Sequence, residues 1–474
     1  MFAAIRPNHL VHLCSHTLPA VALALCVAGA QAAEIPLDRA INLALTQNRQ
    51  LIQAGSLLDI SQADLDAADA GFDVQVVPAF TEQRVGNTVF KNYGVTVSKK
   101  LPTGGVVSLS GTRGDTLLPD GVLIVQPAVN LSLQQPLFKN AGSSIAMYPV
   151  HAAESKLVTA KRQYAQARQD LVSKVIEAYA ELHELEQQLK LDALNVQQTT
   201  ELSRITREYA LVGRAKTLDA MRTDFQLDQT RGRLTADQQR LTSACANLAE
   251  LMGMPPDSVF ETESVAWLDY QTLDADQAVK VALGNRLDYA QAMQDYADTL
   301  QTLSVARNQT LPGVDITVGY QRYSSSPLPG SSVAAGGGAY VGLSSELGGS
   351  YTSEKAEVRK ADAQRAAALE ELDLMQEQIT REVQQGLFAY QEARTENSIA
   401  EHAATDAEAR LTLARELFHM GRADSFAVTD AAEAVVASQS ASLSADADVV
   451  RAGYKLSLIL GTLVSSPDEL KPRS

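Results

Sequence analysis

The side chains that most often carry chemistry are sparse in this sequence and poorly spaced for it. The histidines after residue 33 (His151, His183, His402 and His419) are scattered over helical segments. They suit helix surfaces better than a zinc site, which needs several nitrogen or sulfur ligands converging on one point. Two of the three cysteines precede residue 30, leaving only Cys245 in the rest of the chain. Neither a disulfide framework nor a thiolate cluster can be built from that. The run Pro329-Gly330-Ser331-Ser332-Val333-Ala334-Ala335-Gly336-Gly337-Gly338 lacks the Lys-[Ser/Thr] of a phosphate loop and follows no βαβ pattern, so it reads as a loop between strands, on an extracellular face. No nucleophile is set beside a base. No catalytic residue, no cofactor and no metal is expected, and the chain reads as no enzyme.

What remains is charge placed at two turns. Gly213-Arg214-Ala215-Lys216-Thr217-Leu218 returns 208 positions later as Gly421-Arg422-Ala423-Asp424-Ser425-Phe426. Each glycine can take the positive φ that ends a helix, and Thr217 and Ser425 can cap the helix that follows. Asp219 and Asp430 lie just inside those next helices. For Asp219 an ordinary reading is an acidic residue favoured by the helix dipole; Asp430 sits deeper. Tyr209 and Met420, beside the turns, read as packing residues.

The elements that must position these turns come in two copies. Asp38-Arg39-Ala40-Ile41-Asn42-Leu43-Ala44-Leu45 recurs as Asp276-Gln277-Ala278-Val279-Lys280-Val281-Ala282-Leu283, and Gly253 recurs as Gly461 at the same 208-residue offset as the turns. Fixed spacing of this kind marks a duplication. Each copy reads as a helix (37–70; 273–309), a β-patterned region (73–135; 313–347), a very long helix (about 144–211; about 353–419), the turn, and a closing helix (217–252; 425–460). Apolar residues at helical spacing, such as Val172, Val175, Ile176, Tyr179, Leu182, Leu185 and Leu189, support the long helices. At 1.5 Å per residue each spans on the order of 100 Å. An opening and a closing helix together match the length of one long helix, so the two short ones are expected to lie end to end along it.

The β regions alternate with period two. Val314, Ile316, Val318 and Tyr320 oppose Asp315, Thr317, Gly319 and Gln321; Val129, Leu131 and Leu133 oppose Asn130, Ser132 and Gln134. That dyad fits a transmembrane barrel strand and also a soluble sandwich strand. Four to six strands are too few to close a barrel in one chain, so several protomers would have to share one. A hairpin-like pair around Pro102-Thr103-Gly104-Gly105, Tyr93 to Lys99 and Val106 to Ser110, makes the first β region longer than the second. Both readings of it, inside a barrel or folded outside, stay open.

Composition agrees with export. The 474 residues hold 40 Lys+Arg against 56 Asp+Glu, 45 % apolar and only 5 % aromatic residues. The net charge of -16 argues against nucleic-acid binding. Residues 1–33 read as a secretion signal: Arg6, the apolar run Leu18 to Ala28, then small residues before Glu34. The run is too short for a transmembrane helix. No other stretch nears 18 consecutive apolar residues, so a membrane-inserted form would have to be a closed barrel. The domains are then 1–33 (signal), 34–257 (first repeat, turn about 211–218) and 258–474 (second repeat, turn about 419–426).

In this order and spacing the chain resembles the TolC-type outer-membrane efflux protein family. The resemblance rests on the export signal, the two repeats with β segments between long helices, and the Gly-containing turns. It rests also on Gln135-Pro136-Leu137-Phe138, Leu347-Gly348-Gly349 and Leu251-Met252-Gly253-Met254-Pro255-Pro256-Asp257. It implies a mainly α fold with a small antiparallel β part, and a homotrimer whose strands share one barrel in outer-membrane lipid. The helices continue as a periplasmic tunnel that meets a periplasmic adaptor and an inner-membrane pump. The implied function is an export duct of a tripartite efflux or type I secretion system. The turns would form the closed end of the tunnel and the adaptor-docking surface, through Gly213, Arg214, Ala215, Gly421, Arg422 and Ala423. Aligned on the turn glycines, Asp219 and Asp430 take the places of the family's pore-lining aspartates, which repeated threefold would repel one another and attract cations. Where the family closes its entrance with a tyrosine and an arginine, this chain has Phe418 and Ala423, with Arg422 adjacent to pair with Asp219.

Two other classes share some of these features. A periplasmic adaptor is also exported and rich in helical hairpins, but would show one hairpin flanked by small β domains. A structural envelope coiled coil would have no use for matching strand dyads in both copies. Scarce Met and His give no support to metal export, and the acidic balance leans towards cations in a pore.

Overall fold

The computed structural model of the chain describes residues 33–213, 216–325, 334–346 and 351–472. Residues 1–32 of the expected signal lie outside these. So do Arg214 and Ala215 of the first turn, residues 329–333 of the glycine-rich run, and Leu347-Gly348-Gly349.

Each half follows the expected order. The first runs β1 (Ala33–Ile35), α1 (Leu37–Gln47), α2 (Arg49–Ala70), β2 (Val74–Val85), β3 (Thr88–Lys100), β4 (Val106–Leu117), β5 (Leu123–Pro136), α3 (Ser143–Ala146), α4 (Tyr148–Leu211) and α5 (Thr217–Leu251). The second runs β6 (Phe260–Thr262), α6 (Ala275–Asn285), α7 (Leu287–Gln309), β7 (Gly313–Ser325), β8 (Ala334–Glu346), α8 (Thr352–His419) and α9 (Ser425–Ile459). The long helices have 64 and 68 residues, so each reaches about 100 Å. Helices α1, α2 and α5 pack along α4, and α6, α7 and α9 along α8; α4 also touches α7 and α9, which joins the halves.

The opening helices are each broken where one continuous helix was expected. At Asn48 the backbone turns extended (ψ 124°). Its side-chain oxygen accepts from the N–H groups of Gln50 and Leu51, at 2.9 and 3.1 Å, and its Nδ2 donates to the carbonyl of Leu251 at 3.0 Å. Arg286 occupies the same place in the second half, its guanidinium held by Asp288 and Glu382. The break makes room for the end of the closing helix. A Cβ on Gly253 would lie 2.6 Å from the carbonyl oxygen of Gln47, and one on Gly461 3.0 Å from the carbonyl carbon of Asn285. The repeated glycines are therefore close-approach points, which a short-period pattern does not reveal.

The core is concentrated at this level. Val175, Tyr179 and Leu182 of α4 pack on Ala40, Ala44, Leu248 and Met252, and Ile379, Val383 and Tyr390 of α8 pack on Ala278, Ala282 and Leu456. The small alanines let the helices approach closely. A parallel β1–β6 pair, Ala33 opposite Phe260 and Ile35 opposite Thr262, adds a join between the halves that the strand patterns did not indicate. The buried Tyr179 hydroxyl ties it, donating to the Ile35 carbonyl at 2.8 Å and accepting from the Glu263 N–H at 2.7 Å.

The six longer strands form one antiparallel sheet in the order β2-β3-β4-β5-β7-β8. The hairpin seen in sequence as 93–99 and 106–110 is longer than that and lies inside this sheet as β3 and β4. Gly86-Asn87 joins β2 to β3 as a two-residue turn with Gly86 at φ 60°, which matches the twist of paired strands. Pairing of β5 with β7 stops at Ala128, next to Pro127, which has no N–H to donate. No helix among the described residues is long and apolar enough to cross a membrane.

Candidate functional site

The register sorts the sheet into two chemically different faces. One row across all six strands reads Val76, Val97, Leu109, Leu131, Tyr320, Ala339. A neighbouring row on the same face ends Leu133, Val318, Val341. The alternate rows on the other face read Gln75, Ser98, Ser108, Ser132, Gly319, Tyr340 and Val77, Thr96, Ser110, Asn130, Gln321, Gly338.

Polar side chains bond along that second face. The Ser108 and Ser132 hydroxyls are 2.8 Å apart, Gln134 donates to Asp315 at 3.1 Å, and the Tyr340 hydroxyl donates to Asn130 at 3.1 Å. The Tyr340 ring lies over Gly319, where a Cβ would come within 2.5 Å of it.

On the apolar face the row through Val97, Leu109, Leu131 and Tyr320 holds no charge; Arg322, opposite Val129, stands one row beyond it, and the other charges lie towards the strand ends. Lys99 lies at the helix side; Lys91 with Glu82, at 3.5 Å, and Arg113 with Asp115, at 2.9 Å, lie at the far side. Phe80 on Tyr93, with ring centroids 5.0 Å apart, marks the far border of this face. A face of this kind is suited to lipid, and the polar face to water.

At the opposite end of the long helices, Gly213 and Gly421 have φ of 73° and 68°. Nothing lies within 4 Å of a Cβ placed on either, so conformation rather than space selects glycine here. The expected caps are each corrected by one residue. Helix α5 begins at Thr217 with Lys216 in the cap position, and α9 begins at Ser425 with Asp424 as its cap. The Asp424 carboxylate accepts from the Ala427 N–H at 3.0 Å. At the first turn Asp219 plays the capping part from inside the helix, accepting from the Lys216 N–H at 3.2 Å. Carboxylates are stronger acceptors for these amides than the hydroxyls of Thr217 and Ser425.

Asp430 is ion-paired with Arg410 of α8. Arg422 is exposed and its backbone N–H bonds the Leu417 carbonyl at 2.8 Å; the ion pairs within the described chain do not join it to Asp219. Ala423 is half-buried on the same carbonyl, its N–H at 3.2 Å. The two turns are brought together by Tyr209 and Phe418, with ring centroids 6.1 Å apart. Phe418 packs into a cluster of Leu411, Val428, Ala431 and Val435. Met420 is exposed rather than packed.

Three charged features escaped sequence reasoning. Arg410 was one, because its partner lies across the turn. Asp224 was another: Arg207 and Ser203 of α4 hold it at 2.9 and 2.6 Å, and the Arg207 guanidinium keeps its carboxyl below the usual range. In both halves an arginine of the long helix therefore grips an aspartate of the closing helix. The third is Asp192 of α4, which is buried. Gln188 donates to one of its oxygens at 3.1 Å and the other has no partner. Burial, reinforced by Asp237 of α5, pushes its carboxyl up to about 6.

The family model described as outer membrane efflux protein matches residues 123–254 and 278–462. No curated protein matches the chain by sequence. Among solved structures, the outer membrane protein VceC of Vibrio cholerae superposes with a TM-score of 0.68 at 19 % identity, covering 90 % of this chain and 96 % of that one. CusC, whose structures concern transmembrane channel formation, gives 0.70 at 16 % identity over 91 % and 93 %. The outer membrane channel MtrE of Neisseria gonorrhoeae gives 0.65 at 15 % over 90 % and 89 %.

Proposed function

The chain belongs to the outer membrane efflux protein family and is an outer-membrane export duct. From that premise we propose how its parts work: three copies close a shared barrel and a periplasmic helical tunnel, which receives substrate from an inner-membrane pump through a periplasmic adaptor. The observation that carries this reading is the pairing, in one chain, of a sheet apolar on one face and polar on the other with helices about 100 Å long. The sheet supplies a lipid-facing wall with a wet lumen, and the helices supply reach across the periplasm. The adaptor alternative finds no support.

The trimer is favoured by matching open flanks. At the level nearer the sheet the helices run α2, α4, α7, α8, and at the level of the turns α5, α4, α9, α8. One flank is thus α2 and α5, the other α8 at both levels. Exposed apolar residues stand on both: Ile52, Leu57, Ile60, Met221 and Phe225 on the first, Leu374, Phe388 and Ile399 on the second. Two different surfaces that fit each other generate a ring when the rotation closes.

The turns form the periplasmic entrance in this reading. Asp219 and Asp430 line its constriction, Arg422 holds it shut by pairing with Asp219 of another copy, and Gly213, Gly421, Arg422 and Ala423 present the surface that the adaptor grips. No catalytic step is assigned to any residue.

Purified protein in a planar bilayer tests the whole. The expected result is small, cation-selective channels from a species whose mass is that of three chains. Folded trimer that neither inserts nor conducts would overturn the duct.

A further inference from the structure

We infer that the outer-membrane part of this protein is an eighteen-stranded barrel seated on a twelve-helix tunnel, closed by β8 of each copy against β2 of the next. The inference rests on the trimeric duct proposed above. A one-to-one match of strands to helices would need four strands per chain, since the chain enters or leaves the sheet from helices four times: α2 to β2, β5 to α3, α7 to β7 and β8 to α8. The sheet has six. The additional two, β3 and β4, are paired along nearly their whole length on both sides. Twelve residue pairs join β2 to β3, twelve β3 to β4 and twelve β4 to β5.

The β3–β4 turn is also locked to the helix side of the sheet. The Thr103 hydroxyl donates to Gln135 at 3.0 Å, Gln135 donates back to the Thr103 carbonyl at 3.2 Å, and the Gly142 N–H bonds the same carbonyl at 3.3 Å. A Cβ on Gly104 would stand 2.5 Å from the Asn140 carbonyl oxygen. The hairpin is built into the wall. Its outward residues Tyr93, Val95, Val97, Val107 and Leu109 continue the apolar face of the strands around it.

The two edges that remain are β2 and β8. In lipid their backbone groups must find partners, so the sheet cannot stay open there. Chain direction permits one closure. β2 leaves α2 and runs away from the helices, whereas β8 runs towards them into α8; strands of neighbouring copies therefore meet antiparallel, as every pair in the sheet does. The edges also stand above the matching helical flanks, α2 below β2 and α8 below β8. Counting from the two-residue turn, Val74, Val76, Pro78, Phe80, Glu82 and Arg84 direct their backbone away from β3, so the seam forms without a donor from Pro78. With strands about 4.8 Å apart and tilted about 40°, eighteen strands give a barrel about 36 Å across at the backbone, against about 24 Å for twelve.

The test uses the assembled full-length protein with Cys245→Ser as background. Val76→Cys is combined in turn with Ala339→Cys, Val341→Cys and Leu343→Cys, and separately with Leu133→Cys. Mass fixes the number of copies, non-reducing gels show which pairs cross-link, and cryo-electron microscopy gives the barrel width. The expected result is a trimer, a disulfide between copies for at least one β2–β8 pair, and a cross-section near the larger figure. Two results would overturn the inference. A trimer whose Val76→Cys links to Leu133→Cys within one chain, with the smaller width, would put β3 and β4 outside the barrel. A dimer cross-linked through β2 and β8 would make a twelve-stranded barrel, and would sink the trimer while leaving the edge pairing intact.

Discussion

Asp430 of α9 is ion-paired with Arg410 of α8, twenty residues back along the chain and on the other side of the second turn. Both side chains are exposed, and a pair of that kind contributes about 0.2–1 kcal/mol to stability, so either residue can be changed without endangering the fold. Each copy of Arg410 that is removed uncovers one carboxylate. Arg410→Ala is expected to raise cation over anion permeability about twofold or more, and Asp430→Ala to lower it, read from reversal potentials across a salt gradient. Two unchanged potentials would take Asp430 out of the pore.

The buried Asp192 makes a prediction of opposite kind, about pH. Its carboxyl titrates near 6 because it is buried and faces Asp237, above its value in the unfolded chain. The folded state therefore binds this proton more tightly. Stability from this group falls as pH rises from about 4 to about 6, and the cost of holding the charge is complete above that. Asp192→Asn removes the charge and is expected to stabilise the protein at pH 8 by on the order of 1–3 kcal/mol. The gain shrinks to about a third of that at pH 4.5, where the folded parent is protonated but the unfolded chain is not, and vanishes below about pH 3, where both are. Helix melting followed at both pH values checks it; an equal gain at the two would mean that charge is not the cause.

Much of the architecture was legible because duplication exposes itself twice. The 208-residue offset located both turns and both close-approach glycines, and strand dyads located the sheet. The break at Asn48 was not legible, since Thr46-Gln47-Asn48-Arg49-Gln50 continues a helical pattern and only the distant Leu251 carbonyl gives the asparagine its second bond. The helix caps were misplaced because hydroxyls at Thr217 and Ser425 compete with nearby carboxylates. Nor could Arg410 and Arg207 be picked from many surface arginines, as what distinguishes them is an aspartate brought alongside by the turn.

Gly253 and Gly213 separate two reasons for a repeated glycine. Gly213→Ala meets only the backbone preference against positive φ, about 1–2 kcal/mol. Gly253→Ala adds a collision with the Gln47 carbonyl and is expected to cost at least about 1–3 kcal/mol more. Heat resistance of the assembled oligomer should fall clearly for Gly253→Ala and little for Gly213→Ala. Equal losses would mean that α1 moves aside without cost.

Tyr179→Phe keeps the ring and deletes a buried hydroxyl that serves two backbone groups, the Ile35 carbonyl and the Glu263 N–H. Leaving both unpaired is expected to cost about 1–3 kcal/mol. Tyr390→Phe is the control within the same molecule. Its hydroxyl donates to Leu268 at 2.6 Å and accepts from the Tyr270 N–H and the Arg394 guanidinium at 3.4 Å each, both longer and weaker than the 2.7 Å bond that Tyr179 accepts from Glu263, so less is lost. Denaturant midpoints should order parent, Tyr390→Phe, Tyr179→Phe.

Leu131 and Ser132 are neighbours on β5 whose side chains point to opposite faces of the sheet. If the apolar face meets lipid, Leu131→Arg places a charge near the middle of the hydrocarbon band, at a cost of about 2–4 kcal/mol for each copy. Ser132→Arg adds the same charge to a wet lumen and costs far less, beyond loss of the bond to Ser108. Recovery of folded oligomer in the outer-membrane fraction is therefore expected to collapse for Leu131→Arg and to survive for Ser132→Arg. The surviving variant should also shift the channel towards anions, because its guanidinium stands in the water-filled path. The reverse pattern would turn the sheet inside out and place Asn130, Ser132 and Gln134 against lipid, where their hydrogen-bonding groups would go unsatisfied.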